Sequence, residues 1–362
     1  MKRTISILLA FALSCTMFAG CGGSKSEPAA PKAEGGASAA APAADAGNYP
    51  TAENPITLKF GHISPDTSDM HANAVKYKEA VEAATGGAVK IEIYPNGQLG
   101  GEEIMLDSLF SGTMDMGMIS ANVATTAIPE FNCIVLPFYF DSFEQVGGLI
   151  NNEEFYQKTK EVVEKKGIHY LGIPLMAARG IVNTKRPIHT PEDLKGLKIR
   201  VNTGAILADT FDAMGITTSQ LAFGELYTAM QQGVVDGTDH GIFAANMMKF
   251  TEVGKYFTNT MHYFQLSPLF VSDQAWQKLS PEQQTQLREA CKSVEAILVE
   301  EANKSDATAY EQAENELGVE CVQLTPEEFQ AFRDLVQPVY DKYIPMIGQE
   351  YYDFVTGLKD KA

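Results

Sequence analysis

Short runs of alternating apolar and polar residues are separated, along most of this chain, by longer segments with helical spacing. The first alternating run, Ile56 to His62, predicts a strand. A helix is predicted from about Met70 to Ala84, and a second strand from Val89 to Tyr94. Strands that alternate with helices predict parallel sheets joined by right-handed crossovers, so we expect an α/β fold.

The same spacing continues to the end of the chain, and the roughly 305 residues after position 55 suffice for two domains. Further helices are predicted at Glu102 to Ser111, at Ala205 to Met214, and from the capped start Thr325-Pro326-Glu327-Glu328 onward. Further strands are predicted at Met114 to Ile119, Gly167 to Gly172, Leu197 to Val201, Val234 to Gly237 (strand and turn) and Phe257 to Val271, and Pro174 to Asn183 carries the chain onward after Gly172.

One predicted helix is much longer than the others. Ser280-Pro281-Glu282-Gln283 has the pattern of a capped helix start, and neither proline nor glycine recurs until Gly318. About 37 residues in one helix would extend roughly 55 Å, which exceeds the usual helix of a single domain. Leu287, Val294 and Leu298 are too sparse for a coiled coil.

The N-terminus has the composition of an export signal. Lys2-Arg3 precedes an apolar run, Ile5 to Leu13, that is too short to span a bilayer. Phe18-Ala19-Gly20-Cys21 then has the form of a lipobox, although phenylalanine stands where leucine is usual. We expect residues 1–20 to be a signal peptide; an ordinary cleavage at a nearby small residue, without lipid, is the alternative.

The segment after the signal is predicted to be a tether. Residues 22–54 consist mainly of Ala, Pro, Gly, Ser and Glu, with almost no large apolar side chain. Such a segment cannot bury enough surface to offset its ordering entropy. We therefore expect residues 21–54 to be a flexible tether that is attached to the membrane by a lipid on Cys21.

The net charge of −18 argues against nucleic acid and anionic membrane surfaces as partners. An acidic protein captures an anion only where fixed donors cluster, because its overall field repels the anion. Cys133, Cys291 and Cys321 remain after the signal and the lipidation position, and their spacing matches no zinc motif. We expect no metal and no other cofactor, at least one buried thiol, and no assignable disulfide.

The segment from Pro191 to Gly241 contains the clearest candidate for ligand chemistry. Leu197, Ile199 and Val201 face one side of a predicted strand, so Arg200 lies on the other side, near the strand's carboxyl end. Ligands bind at the carboxyl ends of strands in open α/β sheets, and a guanidinium there pairs with a carboxylate through two N–H groups. A surface arginine in a salt bridge is the alternative.

The helix predicted from Ala205 begins just after Arg200, with Asn202 and Thr203 between them. A helix N-terminus presents free amide groups and the positive end of the helix dipole. This arrangement favours an anion beside Arg200.

Several strings in the chain resemble one family. They are Asp-Leu-Lys-Gly-Leu-Lys-Ile-Arg at 193–200, Ala-Met-Gly at 213–215, Leu-Ala-Phe-Gly-Glu-Leu-Tyr-Thr-Ala-Met-Gln-Gln-Gly-Val-Val-Asp-Gly at 221–237, Tyr-Pro-Asn-Gly-Gln-Leu-Gly-Gly-Glu at 94–102 and Leu-Pro-Phe at 136–138. Together they resemble the solute-binding proteins of tripartite ATP-independent periplasmic (TRAP) transporters. The resemblance covers nearly the whole chain after residue 55.

This resemblance implies a two-lobed, periplasmic-binding-protein-like (type II) α/β fold with mixed sheets flanked by helices. Lobe I would comprise residues 55–176 plus 266–305, and lobe II residues 177–265 plus 306–362. The long helix, about 281–317, would span both lobes.

The resemblance also implies a function. The protein would be exported to the periplasm or outer cell surface as a monomer, capture a C4-dicarboxylate, sialic acid, uronate or similar organic acid between its lobes, and deliver it to TRAP membrane permease subunits. A binding protein of an ATP-driven importer, a chemoreceptor and an exported two-domain enzyme are alternatives. No Gly-x-Ser-x-Gly, His-Glu-x-x-His, phosphate-loop or dinucleotide motif supports an enzyme.

The resemblance finally implies a set of site residues. Arg179 falls where relatives place a second ligand-binding arginine; a hinge arginine held by backbone carbonyls is the alternative. Phe223 would pack on the ligand, or only form a hydrophobic staple with Tyr227. Asp239-His240 replaces the usual Glu-Asn, and His240 would contact the ligand with a charge that varies near neutral pH, unless it is structural. The expected ligand-binding residues are Arg200, Arg179, Phe223, His240, Ser120, Thr203, Asn122, Asp239, Glu102 and His62.

Overall fold

A computed structural model describes residues 49–201, 204–221 and 223–362. The expected signal peptide, Cys21, most of the expected tether and Thr203 lie outside the described residues. Eleven strands are present in the described part of the chain: β1 Ile56–Gly61, β2 Val89–Tyr94, β3 Met116–Met118, β4 Ile168–Gly172, β5 Leu175–Asn183, β6 Lys198–Val201, β7 Thr217–Gln220, β8 Gly237–His240, β9 Tyr256–Leu266, β10 Leu269–Ser272 and β11 Glu320–Gln323.

Helices connect these strands and complete the chain. The α-helices of the described residues are α1 Asp69–Ala84, α2 Glu102–Ser111, α3 Ala121–Ala124, α4 Asn132–Val135, α5 Phe143–Ile150, α6 Glu153–Glu164, α7 Ala205–Ala213, α8 Leu226–Gln231, α9 Ile242–Met247, α10 Phe250–Val253, α11 Asp273–Trp276, α12 Pro281–Asn315, α13 Pro326–Arg333, α14 Gln337–Ile347 and α15 Gln349–Lys359. Short 3-10 turns lie at Pro129–Phe131, Pro191–Leu194, Phe223–Glu225 and Asp334–Val336. None of the helices in this described part is long and apolar enough to cross a membrane.

The strands form two mixed sheets, as the resemblance implies. The first has the order β2-β1-β3-β10-β4, in which β10 is antiparallel to both of its neighbours and the β1 pairings are parallel. The second has the order β11-β9-β5-β8-β6-β7, in which β5 is antiparallel to β8 and β9 and the other pairings are parallel. Each sheet, with its flanking helices, forms one lobe.

The chain passes between the sheets twice. It leaves the first sheet between β4 and β5, at Ile173-Pro174, and returns between β9 and β10, at Ser267-Pro268. The N–H of Ser267 donates to the carbonyl of Pro174 at 3.1 Å, so the two passages are joined. The single strand predicted at 257–271 is therefore wrong: it is two strands in different sheets, interrupted where Pro268 has no N–H for a ladder hydrogen bond.

Helix α12 confirms the expected long helix. Its start is a capping box in which Ser280 and Gln283 bond each other's backbone N–H. It packs against α1 and β4 in the first lobe and against α9, β5 and β11 in the second. The sparse apolar residues noted in the sequence are enough to pack this helix against both lobes, because Leu287, Val294 and Leu298 are all in the core.

The strand predicted at Val234 to Gly237 is misplaced. The observed strand β8 begins at Gly237, where it pairs with Asn183 of β5 and Ile199 of β6. A Cβ atom at Gly237 would lie 2.2 Å from the carbonyl oxygen of Val182, so only glycine fits where β8 enters between its neighbours. Tertiary pairing therefore sets this strand, and it brings Asp239 and His240 into the sheet rather than into the loop after it.

Candidate ligand-binding site

A cavity between the sheets is lined by residues from both lobes; its empty space of about 710 Å³ includes the open solvent at its mouth. The first lobe contributes the loop after β1, the N-termini of α1 and α2, and Ser120 after β3. The second contributes β5, β6, β8, α9 and Phe223. Six of the ten expected site residues line this cavity: Arg200, Arg179, Phe223, His240, Ser120 and Glu102.

Arg200 lies near the carboxyl end of β6 and is only 4 % exposed. Its Nε and Nη2 both donate to the carbonyl of Leu221, at 3.1 and 2.9 Å. Within the described residues, no carboxylate lies within 4.0 Å of its guanidinium. Burial lowers the pKa of Arg200 to about 10, so it stays charged at neutral pH. The alternative of a surface arginine in a salt bridge is therefore wrong.

Arg179 lies on β5 and is equally buried, but it has a carboxylate partner. Its Nε is 3.0 Å from Oδ2 of Asp239, and its Nη2 donates to the Asp239 carbonyl at 2.7 Å. Nη1 donates to Gln265 at 3.1 Å. The pairing follows from sheet register: Ile181 lies opposite Asp239, which makes Arg179 its diagonal neighbour.

Asp239 lies behind Arg179 rather than on the cavity wall, which differs from the expectation that it contacts the ligand. Its Oδ2 is also 3.8 Å from Nε2 of His262, whose Nδ1 is 2.6 Å from the Thr260 hydroxyl. Burial alone would raise the pKa of Asp239, but Arg179 and His262 outweigh burial and lower it. The carboxylate is therefore ionised, and it neutralises Arg179 and holds it in place.

His240 follows Asp239 on β8 and lines the cavity. Burial, and then the nearby Arg179, lower the pKa of His240 to about 3. The expectation that its charge varies near neutral pH is therefore wrong: the imidazole is neutral. Its ring centroid is 5.7 Å from those of Phe223 and Phe250, and its Nδ1 has no hydrogen-bond partner among the described residues.

Glu102 and Ser120 form the polar wall of the first lobe. Glu102 is the first residue of α2, and its two oxygens accept hydrogen bonds from the N–H and the hydroxyl of Ser120, both at 2.6 Å. Burial raises the pKa of Glu102, while Ser120, Arg179 and Arg200 oppose that shift. The two hydrogen bonds favour the ionised form, because both carboxylate oxygens act as acceptors, but burial is the larger effect and the pKa of Glu102 is raised overall.

Two other expected residues lie off the cavity wall. Asn122 is fully buried beside Gly204, where an added Cβ would lie 3.0 Å from the Asn122 amide nitrogen. His62 is also fully buried, with its Nε2 3.2 Å from Nδ1 of His71. Burial, and then His71, lower the pKa of His62 to about 4. Both residues follow strands, but their side chains turn into the protein instead of the cleft.

Sequence reasoning missed other wall residues. Asp69 begins α1, and burial raises its pKa to about 6. Gln265 comes from the returning strand β9. Met176, Met247 and Met248 are apolar residues of the same wall. Ser68, which caps α1, could have indicated Asp69, because the start of a helix at a cleft is close to the ligand. No pattern in the sequence indicated the three methionines.

Comparison with known proteins identifies the class. Residues 60–345 match the model of the bacterial extracellular solute-binding proteins, family 7. The C4-dicarboxylate-binding periplasmic protein DctP of Rhodobacter capsulatus is 30% identical over 316 residues, which cover 84% of this chain and 91% of that protein.

Solved structures of TRAP periplasmic solute-binding proteins are similar to the whole two-lobed part. One from a Sulfitobacter species, with bound β-D-galacturonate, has a TM-score of 0.77 at 28% identity and covers 85% of this chain and 100% of its own. One from Sulfurospirillum deleyianum, with bound succinate, has a TM-score of 0.74 at 27% identity and covers 83% and 98%.

The two-lobed α/β fold around a cleft, together with these relatives, identifies the class of protein as an extracytoplasmic solute-binding protein, not an enzyme. The chain belongs to family 7 of the bacterial extracellular solute-binding proteins, the solute-binding proteins of TRAP transporters. The alternatives of an ATP-driven importer and an exported enzyme are thereby set aside.

Proposed function

We propose that this protein captures a small organic acid in the cleft by pairing its carboxylate with Arg200, and delivers it to a TRAP permease. The observation that carries the proposal is a buried, charged guanidinium on a cavity wall without a carboxylate partner among the described residues. A buried cation of this kind is costly unless an anion joins it. A ligand carboxylate supplies that anion with two N–H···O bonds in one plane.

The neighbouring side chains support this role. Arg179 lines the same cavity and offers hydrogen-bond donors to the ligand, in addition to its bond with Asp239. The neutral His240 offers one donor and one acceptor. Phe223 and the three methionines cover the carbon skeleton. The acids bound in the similar structures, galacturonate and succinate, are also small carboxylates.

Capture requires that the lobes close over the acid. The two passages between the sheets are joined by the Ser267–Pro174 hydrogen bond, and α12 packs on both lobes. A hinge at these passages would bring Glu102 and Ser120 towards Arg179 and Arg200, so that closure depends on ligand. We propose that the permease recognises this closed form.

A thermal-shift screen of organic acids, followed by calorimetric titration, tests the proposed capture. An acid at about 100 times its Kd stabilises the folded state by about 2.7 kcal/mol. Galacturonate and galactose are a matched pair, because they share the sugar ring and differ in the carboxylate. The proposal fails if no acid on the panel raises the melting temperature, or if galactose raises it as much as galacturonate does.

We further propose that Cys21 is lipidated and anchors the protein outside the cytoplasm. The proposal rests on the apolar run and lipobox-like string before Cys21 and on the composition of residues 22–54. Cys21→Ala should move the protein from the membrane fraction to the soluble fraction. Cys15→Ala, within the expected signal peptide, is the matched control and should remain with the membrane. A Cys21→Ala protein that stays membrane-bound would contradict lipid attachment.

A further inference from the structure

The charges around the cleft are close to balance before any ligand binds. Arg179 and Arg200 carry two positive charges on the cavity wall. Asp69 and Glu102 lie on the same wall, and Asp239 lies directly behind Arg179. Among the described residues, the site therefore has three carboxyl groups and two guanidinium groups. The site therefore has no excess of positive charge for a bound anion. Only the guanidinium of Arg200, which has no carboxylate partner among the described residues, is left to pair with it.

The two arginines are not equivalent towards a ligand. Asp239 lies 3.0 Å from Nε of Arg179 and is fully buried, so this pair is neutral as a unit. Arg200 has only the Leu221 carbonyl as an acceptor in the described residues. One carboxylate of a ligand is matched by Arg200, whereas a second carboxylate would have to compete with Asp239 for Arg179.

The opposite wall is suited to hydroxyl groups. Both oxygens of Glu102 accept from Ser120, and each carboxylate oxygen retains a lone pair for a further donor. A ligand hydroxyl supplies such a donor. A ligand carboxylate supplies none, and a like charge placed beside Glu102 in a buried site is strongly disfavoured.

We propose that this cleft selects hydroxylated monocarboxylates over dicarboxylates with the same carbon skeleton, and that Asp239 and Glu102 are the residues that set this selectivity. The inference rests on the proposed capture of an organic acid and adds which acids are captured. Asp239 acts through Arg179 as a positioning residue, while Glu102 faces the ligand.

Calorimetric titration with three matched pairs of acids tests the selectivity: gluconate against glucarate, erythronate against meso-tartrate, and 4-hydroxybutyrate against succinate. The members of each pair differ only in a terminal hydroxymethyl or carboxylate group. In every pair that binds, the monocarboxylate should bind at least about tenfold more tightly. A dicarboxylate that binds as tightly as its partner overturns this inference alone. If none of the six acids binds while another acid of the thermal-shift panel does, the inference is overturned and the proposed capture stands, whereas binding by no acid at all overturns both.

Two variants assign the selectivity to residues. Asp239→Asn leaves Arg179 without its carboxylate and should reduce the ratio of the two Kd values within a pair by about tenfold or more, because a second guanidinium becomes available. Glu102→Gln removes the opposing charge on the other wall and should reduce the ratio in the same direction. The ratio is the useful measurement, since mere distortion of the cleft weakens both members of a pair.

Glu103→Gln is the matched control, because Glu103 is the exposed neighbour of Glu102 on α2 and should leave the ratio unchanged. The melting temperature of each variant reports whether it is folded. If Asp239→Asn does not fold, Glu102→Gln carries the test. An unchanged ratio in the folded variants would show that neither residue sets the selectivity and would overturn the assignment.

Discussion

Two buried arginine centres in this protein have the same chemistry and different surroundings. The first is the cleft, where Arg200 and Arg179 line a cavity. The second lies on α12, where Arg288 is 3.2 Å from Glu295 and donates to the Leu171 carbonyl at 2.5 Å. The Arg288 guanidinium also stacks 3.5 Å above the centre of the Tyr156 ring.

The two centres differ in whether the protein itself supplies a carboxylate that pairs with the guanidinium. Burial alone would lower the pKa of Arg288, but Glu295 and the nearby tyrosines together outweigh burial and raise it, so this guanidinium has a carboxylate partner without any ligand. In the cleft, burial lowers the pKa of Arg200, and no carboxylate of the described residues pairs with it. A buried arginine therefore indicates a binding site only when it faces open space and no carboxylate of the protein is in contact with its guanidinium.

The largest expected effect is on stability, at the α12 centre. Arg288→Met leaves Glu295 buried without its partner and should lower the free energy of unfolding by about 3–5 kcal/mol. Urea denaturation measures this loss. Adding Glu295→Leu should recover most of it, since a buried pair replaced by apolar residues is often neutral.

Lys292→Met is the control on the same helix. Lys292 pairs with Glu153 at 2.7 Å, but both side chains are about half exposed, so the loss should stay below about 1 kcal/mol. If Arg288→Met costs no more than Lys292→Met, the α12 centre is not the structural counterpart of the cleft.

The next largest effect is on ligand affinity, at Arg200. Removing one partner of a buried charged pair costs about 2–5 kcal/mol, on the order of thirty- to several-thousand-fold in affinity. Arg200→Ala should abolish measurable binding, and Arg200→Lys should weaken it substantially because one ammonium replaces two coplanar N–H groups. Calorimetric titration with an acid found by the screen measures both, and both variants should unfold near the wild-type temperature without ligand.

Arg186→Lys is the matched control for Arg200→Lys. Arg186 also donates to backbone carbonyls, those of Asp193 and Lys195, but it does not line the cavity. Its variant should bind within a factor of two of the wild type. The same result for Arg200→Lys would exclude a carboxylate clamp at Arg200.

The pH dependence of stability should show a smaller effect, that of Asp306, another buried acid on α12. Burial raises the pKa of Asp306 to about 7 from its ordinary 3.8, and its Oδ1 has no partner among the described residues. The folded state therefore holds this proton more tightly than the unfolded state. Stability should fall as pH rises from about 4 to 7, with a slope of at most about 1.4 kcal/mol per pH unit from this group.

Asp306→Asn should flatten that slope and make the protein more stable than the wild type at pH 8. Urea denaturation at several pH values measures the difference, which isolates Asp306 from the other acids with raised pKa. Glu311→Gln, an exposed position on the same helix, should change neither quantity. A slope that Asp306→Asn leaves unchanged would contradict the raised pKa.

The smallest expected effect is at His240. Its pKa of about 3 predicts no change in its charge between pH 5 and 8, so it contributes hydrogen bonds rather than a switch. His240→Asn should stay folded and change the ranking of the acids, by about 0.5–1.5 kcal/mol for each altered hydrogen bond. Titration with the same panel measures the ranking. His189→Asn, at an exposed position, is the control, and an unchanged ranking in His240→Asn would assign His240 a structural role.

Much of the fold was accessible from the sequence because it depends on local signals. Helix α2 was predicted at Glu102 to Ser111 and is observed there, and the capping pattern at Ser280 and Gln283 marked the start of α12. The prediction of Arg200 near the end of a strand also needed only the alternation of its neighbours. The family motifs then connected these elements to a two-lobed fold.

What the sequence alone determined about this protein is therefore many of its helices and strands, its family and the arginine of its candidate site. Only the tertiary structure decided the partners: that Asp239 neutralises Arg179 across the sheet while Arg200 is left without a carboxylate, and that burial keeps His240 uncharged. The physical reason is the distance along the chain over which each kind of interaction acts. Periodicity and capping depend on residues within about four positions, whereas charge compensation and burial depend on residues that are tens of positions apart and meet only when the chain folds.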